Sequence, residues 1–416
     1  ADGTNNVAEI EVQGTLGGKI AKLSGLTVTS SGAGAKALNL TDIPDNTANI
    51  DTTTFATSLN TSLAIASGES FSNGIIGDLS NIDSINVADS VTAKFGLTVT
   101  LGNSPNKINL GGTSAKVVGT DSSRFHQKKI DGTGIVELTK KVGSSFDGSA
   151  IGSDGNLTSY KVFFDTSDTL SGNYTFVDEA VVGDGVVLTG PDSGLTWTTM
   201  TVKLNGSSAK YQGKAAVMSG KTITGTGILD VTHLGRNVAN SADVVHDSSN
   251  VAASVVSKAT HTANHVTPNA SDFSRFDEVE IPSGVTITFG GSGFTSAKHP
   301  AKYTLAAATS SLGSVDSLMH AGNAHQMIVE GSGVLFIGSA TGSALDLSSI
   351  ATDVNTVVFF ADGNSTYTLG ASHKLANVDE IRIGTENTIV VGNKSGLTLP
   401  TSTMGQVVLS NSNMKL

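Results

Sequence analysis

"NVDEIRIG", residues 377–384, restates a phrase the chain has already used four times: "NVAEIEVQ" from Asn6, "NIDSINVA" from Asn81, "FVDEAVVG" from Phe176 and "RFDEVEIP" from Arg275. In the last copy an apolar residue, Val378, is followed three and five positions on by Ile381 and Ile383. The earlier copies supply Val7, Ile10 and Val12; Ile82, Ile85 and Val87; Val177, Ala180 and Val182; Phe276, Val279 and Ile281. Four of the five place Asp directly after the first apolar residue, as Asp83, Asp178, Asp277 and Asp379. Those landmarks recur at roughly one hundred residues, a repeat that must be recognised before any motif is read.

Two further phrases keep their order within the period. Gly-Leu-Thr or a close relative falls at 25–27, 96–98, 194–196, 293–295 and 396–398. Gly-Thr/Ser-Gly followed by alternating apolar residues appears as "DGTGIVELT" from Asp131, "TGTGILDVT" from Thr224 and "EGSGVLFIG" from Glu330. The first phrase reads as a corner and then a short strand with two inward side chains. A turn follows, and then a second alternating run such as Val285, Ile287 and Phe289, with Thr286 and Thr288 outward. Helical spacing is confined to 241–258, where Val244, Val251 and Val255 share a face, and to a stretch near 311–326.

An all-β parallel β-solenoid fits this pattern, with several coils per hundred-residue unit. The alternative is a string of immunoglobulin-like sandwiches, which the hairpin-like "VVGDGVVL" at 181–188 favours. Thirty-nine residues follow Asn377, too few for another sandwich and natural for a partial solenoid unit. The expected organisation is a partial repeat at 1–80, repeats at 81–175, 176–274 and 275–376, and a partial repeat at 377–416.

Composition narrows the function. Of 416 residues only 15% are charged, 48 are Gly and 7 are Pro, which gives a Ser/Thr/Gly/Asn surface with many tight turns. Absence of Cys removes disulfides, thiolate metal sites and Cys nucleophiles together. A net charge of −11, with no basic stripe evident, argues against nucleic acid and for divalent cations or basic surfaces as partners. No run is long and apolar enough to span a membrane, and Ala1 in place of Met fits removal of a signal peptide, so an exported chain is expected. The order of the phrases, with "DLSSI" at 346–350 and "VVFF" at 357–360 between them, resembles the β-strand repeats of very large bacterial surface proteins of the surface-layer and adhesin types. The calcium nonapeptide Gly-Gly-x-Gly-x-Asp that such chains often carry has no copy here.

Catalytic patterns are weak. Ser207-Ser208-Ala209-Lys210 matches Ser-x-x-Lys, yet Ala-Lys recurs at Lys36, Lys116 and Lys298 and reads as repeat texture. "FGGSGF" at 289–294 lacks nucleophile-elbow spacing. His261 and His265 would share one helical face as the start of a zinc site, but further ligands are missing. The Asp-Glu pairs at 178–179, 277–278 and 379–380 point to opposite faces of an extended chain, and so cannot form a converging glycosidase pair. Calcium at Asp154-Gly155, Asp184-Gly185 and Asp362-Gly363 is the one cofactor the turns suggest. Thr-x-Thr pairs, as at Thr286 and Thr288, read as outward strand positions rather than an ice-binding face. Eight Asn-x-Ser/Thr sites, Asn39, Asn173 and Asn364 among them, would permit glycosylation.

The expected protein is therefore no enzyme and has no catalytic residues. It is an exported structural subunit that polymerises with its own copies head to tail into a filament, sheath or surface layer, with assembly sensitive to ions. An adhesin stalk or glycan-binding surface module is the alternative.

Overall fold

The computed structural model describes residues 37–40, 49–51, 60–65, 76–102, 107–191, 200–214, 221–233, 250–261, 264–267, 273–289, 299–313, 328–338, 345–360, 366–369, 374–383, 388–391 and 406–409. The chain divides into two compact units, Ala1–Lys210 and Tyr211–Leu416. Within each, every strand pairing among the described residues is parallel, and the one helical element is the short 3-10 turn Ser122–Phe125. This is a β-solenoid.

In the first unit, Ala37–Leu40, Asn60–Ile65, Ser84–Val87, Lys107–Leu110 and Lys129–Gly132 stack in that order as one sheet. Thr92–Phe95, Lys116–Gly119, Ile135–Thr139, Ser159–Phe164, Glu179–Gly183 and Thr201–Asn205 stack as a second. Strands of the two sheets alternate along the chain between residues 84 and 139, so each coil there gives one strand to each sheet. Alternation of side chains then fills the interior: Ile85, Ile108 and Ile130 are buried in one sheet, Ala93, Val117, Val136 and Tyr160 in the other. Outward positions carry charge, where Glu137, Lys161 and Glu179 stand in register on neighbouring strands. Alternating signs across a ladder are favourable. In the second unit Asp230, Lys258, Glu278 and Lys302 repeat the arrangement.

The hundred-residue period is a hand-over between sheets. After Lys129–Gly132 the first sheet closes on the bridge Ile130–Ile151, Ser159–Phe164 extends the second sheet, and Asp168–Thr169 opens a new one by pairing with Val187–Thr189. In the second unit Ile223 bridges Val251, Val256–His261 adds to Ile228–His233, and His265–Thr267 pairs with Thr286–Phe289. Val329 then bridges Ile350, Asn355–Phe360 adds to Val334–Gly338, and Thr366–Leu369 pairs with Thr388–Val391. One coil in each period thus carries an extra strand.

Three local expectations are corrected. "VVGDGVVL" is no hairpin, because Glu179–Gly183 and Val187–Thr189 belong to different sheets and the Gly-Asp-Gly between them turns a solenoid corner. Within 241–258, residues 241–249, Val244 among them, lie outside the described residues, Val251 lies in the parallel bridge to Ile223, and Val256–His261 is a strand. The helical spacing of Val251 and Val255 comes from a turn in which the Val255 N–H donates to the Ala252 carbonyl at 3.0 Å. Near 311–326, Ser311–Gly313 is likewise a strand, and 314–327 lies outside the described residues.

Candidate functional site

The recurring aspartate is a staple between coils. Asp178 N–H donates to the Tyr160 carbonyl at 2.9 Å, and Asp178 Oδ2 accepts the Tyr160 N–H at 2.7 Å. Asp277 does the same to Ser257, at 2.9 and 2.7 Å, and Asp379 to Thr356, at 3.0 and 2.8 Å. Each target sits in the extra strand of the hand-over. The phrase therefore locks the first strand of the next coil onto the strand that changed the coil's layout. Its apolar positions, Val177 and Ala180, Phe276 and Val279, Val378 and Ile381, are buried beneath. The neighbouring Glu179 points the other way, to Lys161 at 3.2 Å.

A second set of acids holds the corners. Asp89 Oδ1 accepts the Ser114 N–H at 3.0 Å, Asp184 Oδ1 accepts that of Ser208 at 2.9 Å, and Asp154 Oδ2 accepts that of Gly132 at 3.1 Å. Desolvation pushes the Asp154 carboxyl up, but the N–H bonds from Gly132 and Asn156 outweigh it and leave the group below its ordinary value. Two of the three proposed calcium turns, at Asp154 and Asp184, thus use carboxylate oxygens on backbone N–H groups of adjacent coils. Asp362 lies outside the described residues.

The Gly-x-Gly phrase is explained by close approach. Gly132 and Gly331 have φ of +108° and +97°, and a Cβ on either would run into the carbonyl oxygen of Leu110 or Leu305 in the preceding coil. No other residue fits there without moving the backbone.

The remaining candidates do not converge. Ser207 and Ser208 sit in the turn closed by the Ala209 N–H to Gly206 carbonyl bond, at 3.1 Å, with Lys210 opening the next strand. Gly290–Phe294 lie outside the described residues. His261 and His265 fall on two strands instead of one helix, and the buried His261 ring packs edge-on against Phe273 at 6.1 Å. Among the described residues no three His, Cys, Asp or Glu side chains gather as a metal would require. At the Asn173 sequon the side-chain Oδ1 accepts the Thr175 N–H at 3.0 Å, and Asn364 lies outside the described residues. Of the Gly-Leu-Thr phrase only 96–98 is described, as a surface turn with Leu97 exposed.

Sequence reading missed the buried cation Lys140. Lys140, at the end of Ile135–Thr139, has its side chain 1% exposed, and its Nζ reaches Asp168 at 3.0 Å and the Lys141 carbonyl at 2.8 Å. Asp168 begins the strand that opens the new sheet, so this pair pins the hand-over from its other end. A lone Lys-Lys dipeptide gives no sequence signal for that role. Comparison with known proteins returns no family model, no curated relative and no solved structure that matches the chain.

Proposed function

We propose that the protein is a structural subunit whose coils join those of further copies head to tail, building an extracellular filament, sheath or surface layer. One observation carries the reading: among the described residues, the recurrent polar side chains are spent on the neighbouring coil. Asp178, Asp277 and Asp379 bind backbone, Lys161 and Lys258 bind Glu, and the Gly-x-Gly corners admit the coil before. Every strand pairing among the described residues is parallel, so the leading edge of a coil offers backbone groups that the trailing edge of a like coil in another copy can pair. Such a contact is heterologous and grows into a fibre when it does not close. The Cys-free, Ser/Thr/Gly/Asn-rich composition suits an exported assembly. Electron microscopy of the purified protein across a concentration series tests this. Filaments or sheets are expected, and they should be lost when charge is placed at Val407 and Leu409 of the strand Gln406–Leu409, with circular dichroism unchanged. A protein that stays monomeric at high concentration refutes it.

A further inference from the structure

Charge in the first unit is segregated along the chain. Residues 90–141 hold eight Lys or Arg against three Asp or Glu, and residues 142–200 hold one against eight. One window of the sequence, residues 90–141, therefore does concentrate Lys and Arg.

One corner of the coils displays this reversal level by level. It follows the strands Thr92–Phe95, Lys116–Gly119, Ile135–Thr139, Ser159–Phe164 and Glu179–Gly183. Side chains tie successive levels together: Arg124 Nη2 donates to the Leu97 carbonyl at 3.2 Å, the Lys141 N–H donates to Ser122 Oγ at 3.1 Å, and Lys140 Nζ reaches Asp168 at 3.0 Å. The last tie is the Val187 N–H to Ser167 Oγ bond, at 2.9 Å. In level order the corner presents Leu97, Arg124, Lys141 with Val142, Asp165, and Asp184. Arg124 and Lys141 share one buried carboxylate, Asp121, at 3.7 and 3.5 Å, which leaves a net positive charge at the surface. Leu97 is 63% and Val142 50% exposed on this corner. Asp165 and Asp184 are exposed on the levels that follow.

We propose that this corner is a contact between two copies of the chain, related by a two-fold axis that reverses the order of the coils. With the axis between the levels of Lys141 and Asp165, each Lys141 faces the second copy's Asp165 and each Arg124 faces its Asp184. Val142 shares the Lys141 level, half a level from the axis, so its counterpart in the second copy lies one level away along the stack, about 4.8 Å. Charge complementarity selects this occupant, because the same corner supplies both signs in mirror order and the contact is satisfied twice. Copies packed in the same direction and in register would set like charge on like. A contact along one corner is small and largely ionic, so it is weak and sensitive to salt. It lies on the side of the coils and is independent of head-to-tail growth.

The chain has no cysteine, so Val142→Cys introduces a single thiol. A short bismaleimide should convert Val142→Cys protein at 50 mM NaCl to a covalent dimer on denaturing gels, with yield falling at least about fivefold at 500 mM NaCl as the Debye length shrinks. Adding Asp165→Lys should abolish the dimer. This variant is expected to fold, because Asp165 is exposed and bonded to nothing among the described residues. Adding Lys141→Glu instead should also abolish it, and an equal mixture of the two double variants should restore it, since both mismatches become matches in the mixed pair. A dimer that persists with Asp165→Lys, or a mixture that stays monomeric while both proteins retain their circular dichroism, overturns the proposal. Head-to-tail filaments would survive Asp165→Lys, so loss of this contact and loss of the polymer are separately readable.

Discussion

Asp277 grips Ser257 with both its backbone and its side chain: its N–H reaches the Ser257 carbonyl at 2.9 Å while its Oδ2 takes the Ser257 N–H at 2.7 Å. Ser257 is fully buried, so its N–H has no solvent to turn to if the carboxylate is removed. Asp277→Ala should therefore cost about 1–3 kcal/mol, the penalty of an orphaned buried donor. Asp277→Asn, which keeps an acceptor oxygen, should cost less than half of that. Hydrogen exchange at Ser257 gives the local readout, and the Ala variant should exchange there at least about tenfold faster, the equivalent of 1.4 kcal/mol. An unchanged rate would deny the staple its role.

Ser90 occupies the left-handed region at φ 64°, at the same corner position where later repeats have Gly185 at 73° and Gly284 at 75°. A non-glycine residue there costs about 1–2 kcal/mol, partly offset by the greater freedom glycine has when unfolded. Ser90→Gly should stabilise the first unit by about 0.5–1 kcal/mol in urea titration. The reverse change, Gly284→Ala, should destabilise the second unit even though a Cβ there would meet nothing within 4 Å. Equal stability in both variants would show that the corner backbone relaxes freely.

The inward ladders and the hundred-residue period were legible in the sequence, because Val177, Ala180 and Val182 repeat at Phe276, Val279 and Ile281 with the same offsets and all are buried. The coil itself was not. Strands of one sheet begin at 84, 107 and 129, yet their corners are built differently, by Asp89 in one coil and by Gly132 in another, so no single motif marks each turn. The staples of Asp178, Asp277 and Asp379 each follow a hand-over, and that is why the longer period dominated. The corner of Arg124, Lys141 and Asp165 was invisible for a related reason. Its residues lie about twenty apart and meet only when the coils stack.

Gly132 and Gly331 differ from the open corner glycines in what surrounds them. Each combines a positive φ with a carbonyl oxygen of the preceding coil where a Cβ would stand. Alanine at either site must both strain φ and push two coils apart, so a loss of about 2–4 kcal/mol is expected, within the range for backbone strain and overpacking. The loss should exceed that of Gly284→Ala severalfold when the three proteins are compared by thermal melting. Comparable melting points would mean that the close approach carries no energetic weight.

His299 supplies a pH dependence with a definite sign. Its ring is buried, with Nδ1 3.0 Å from Tyr303 Oη and the Phe289 ring edge-on at 4.9 Å. Burial pushes the imidazole down from 6.5 to about 3. The folded protein therefore keeps His299 neutral while the unfolded chain takes up a proton below its ordinary value. Stability from this site is fully present above pH 6.5 and is lost as pH falls from there toward 3, at about 1.4 kcal/mol per pH unit for one proton. Urea midpoints for the second unit, followed from pH 7.5 to 4.5, should fall more steeply in the native protein than in His299→Phe, which has nothing to protonate at that site. The variant loses the bond to Tyr303 and should begin lower at pH 7.5, so the slopes are compared and not the absolute values. Parallel slopes in the two proteins would show that His299 is protonated in the fold without penalty, and that its burial has no bearing on acid stability.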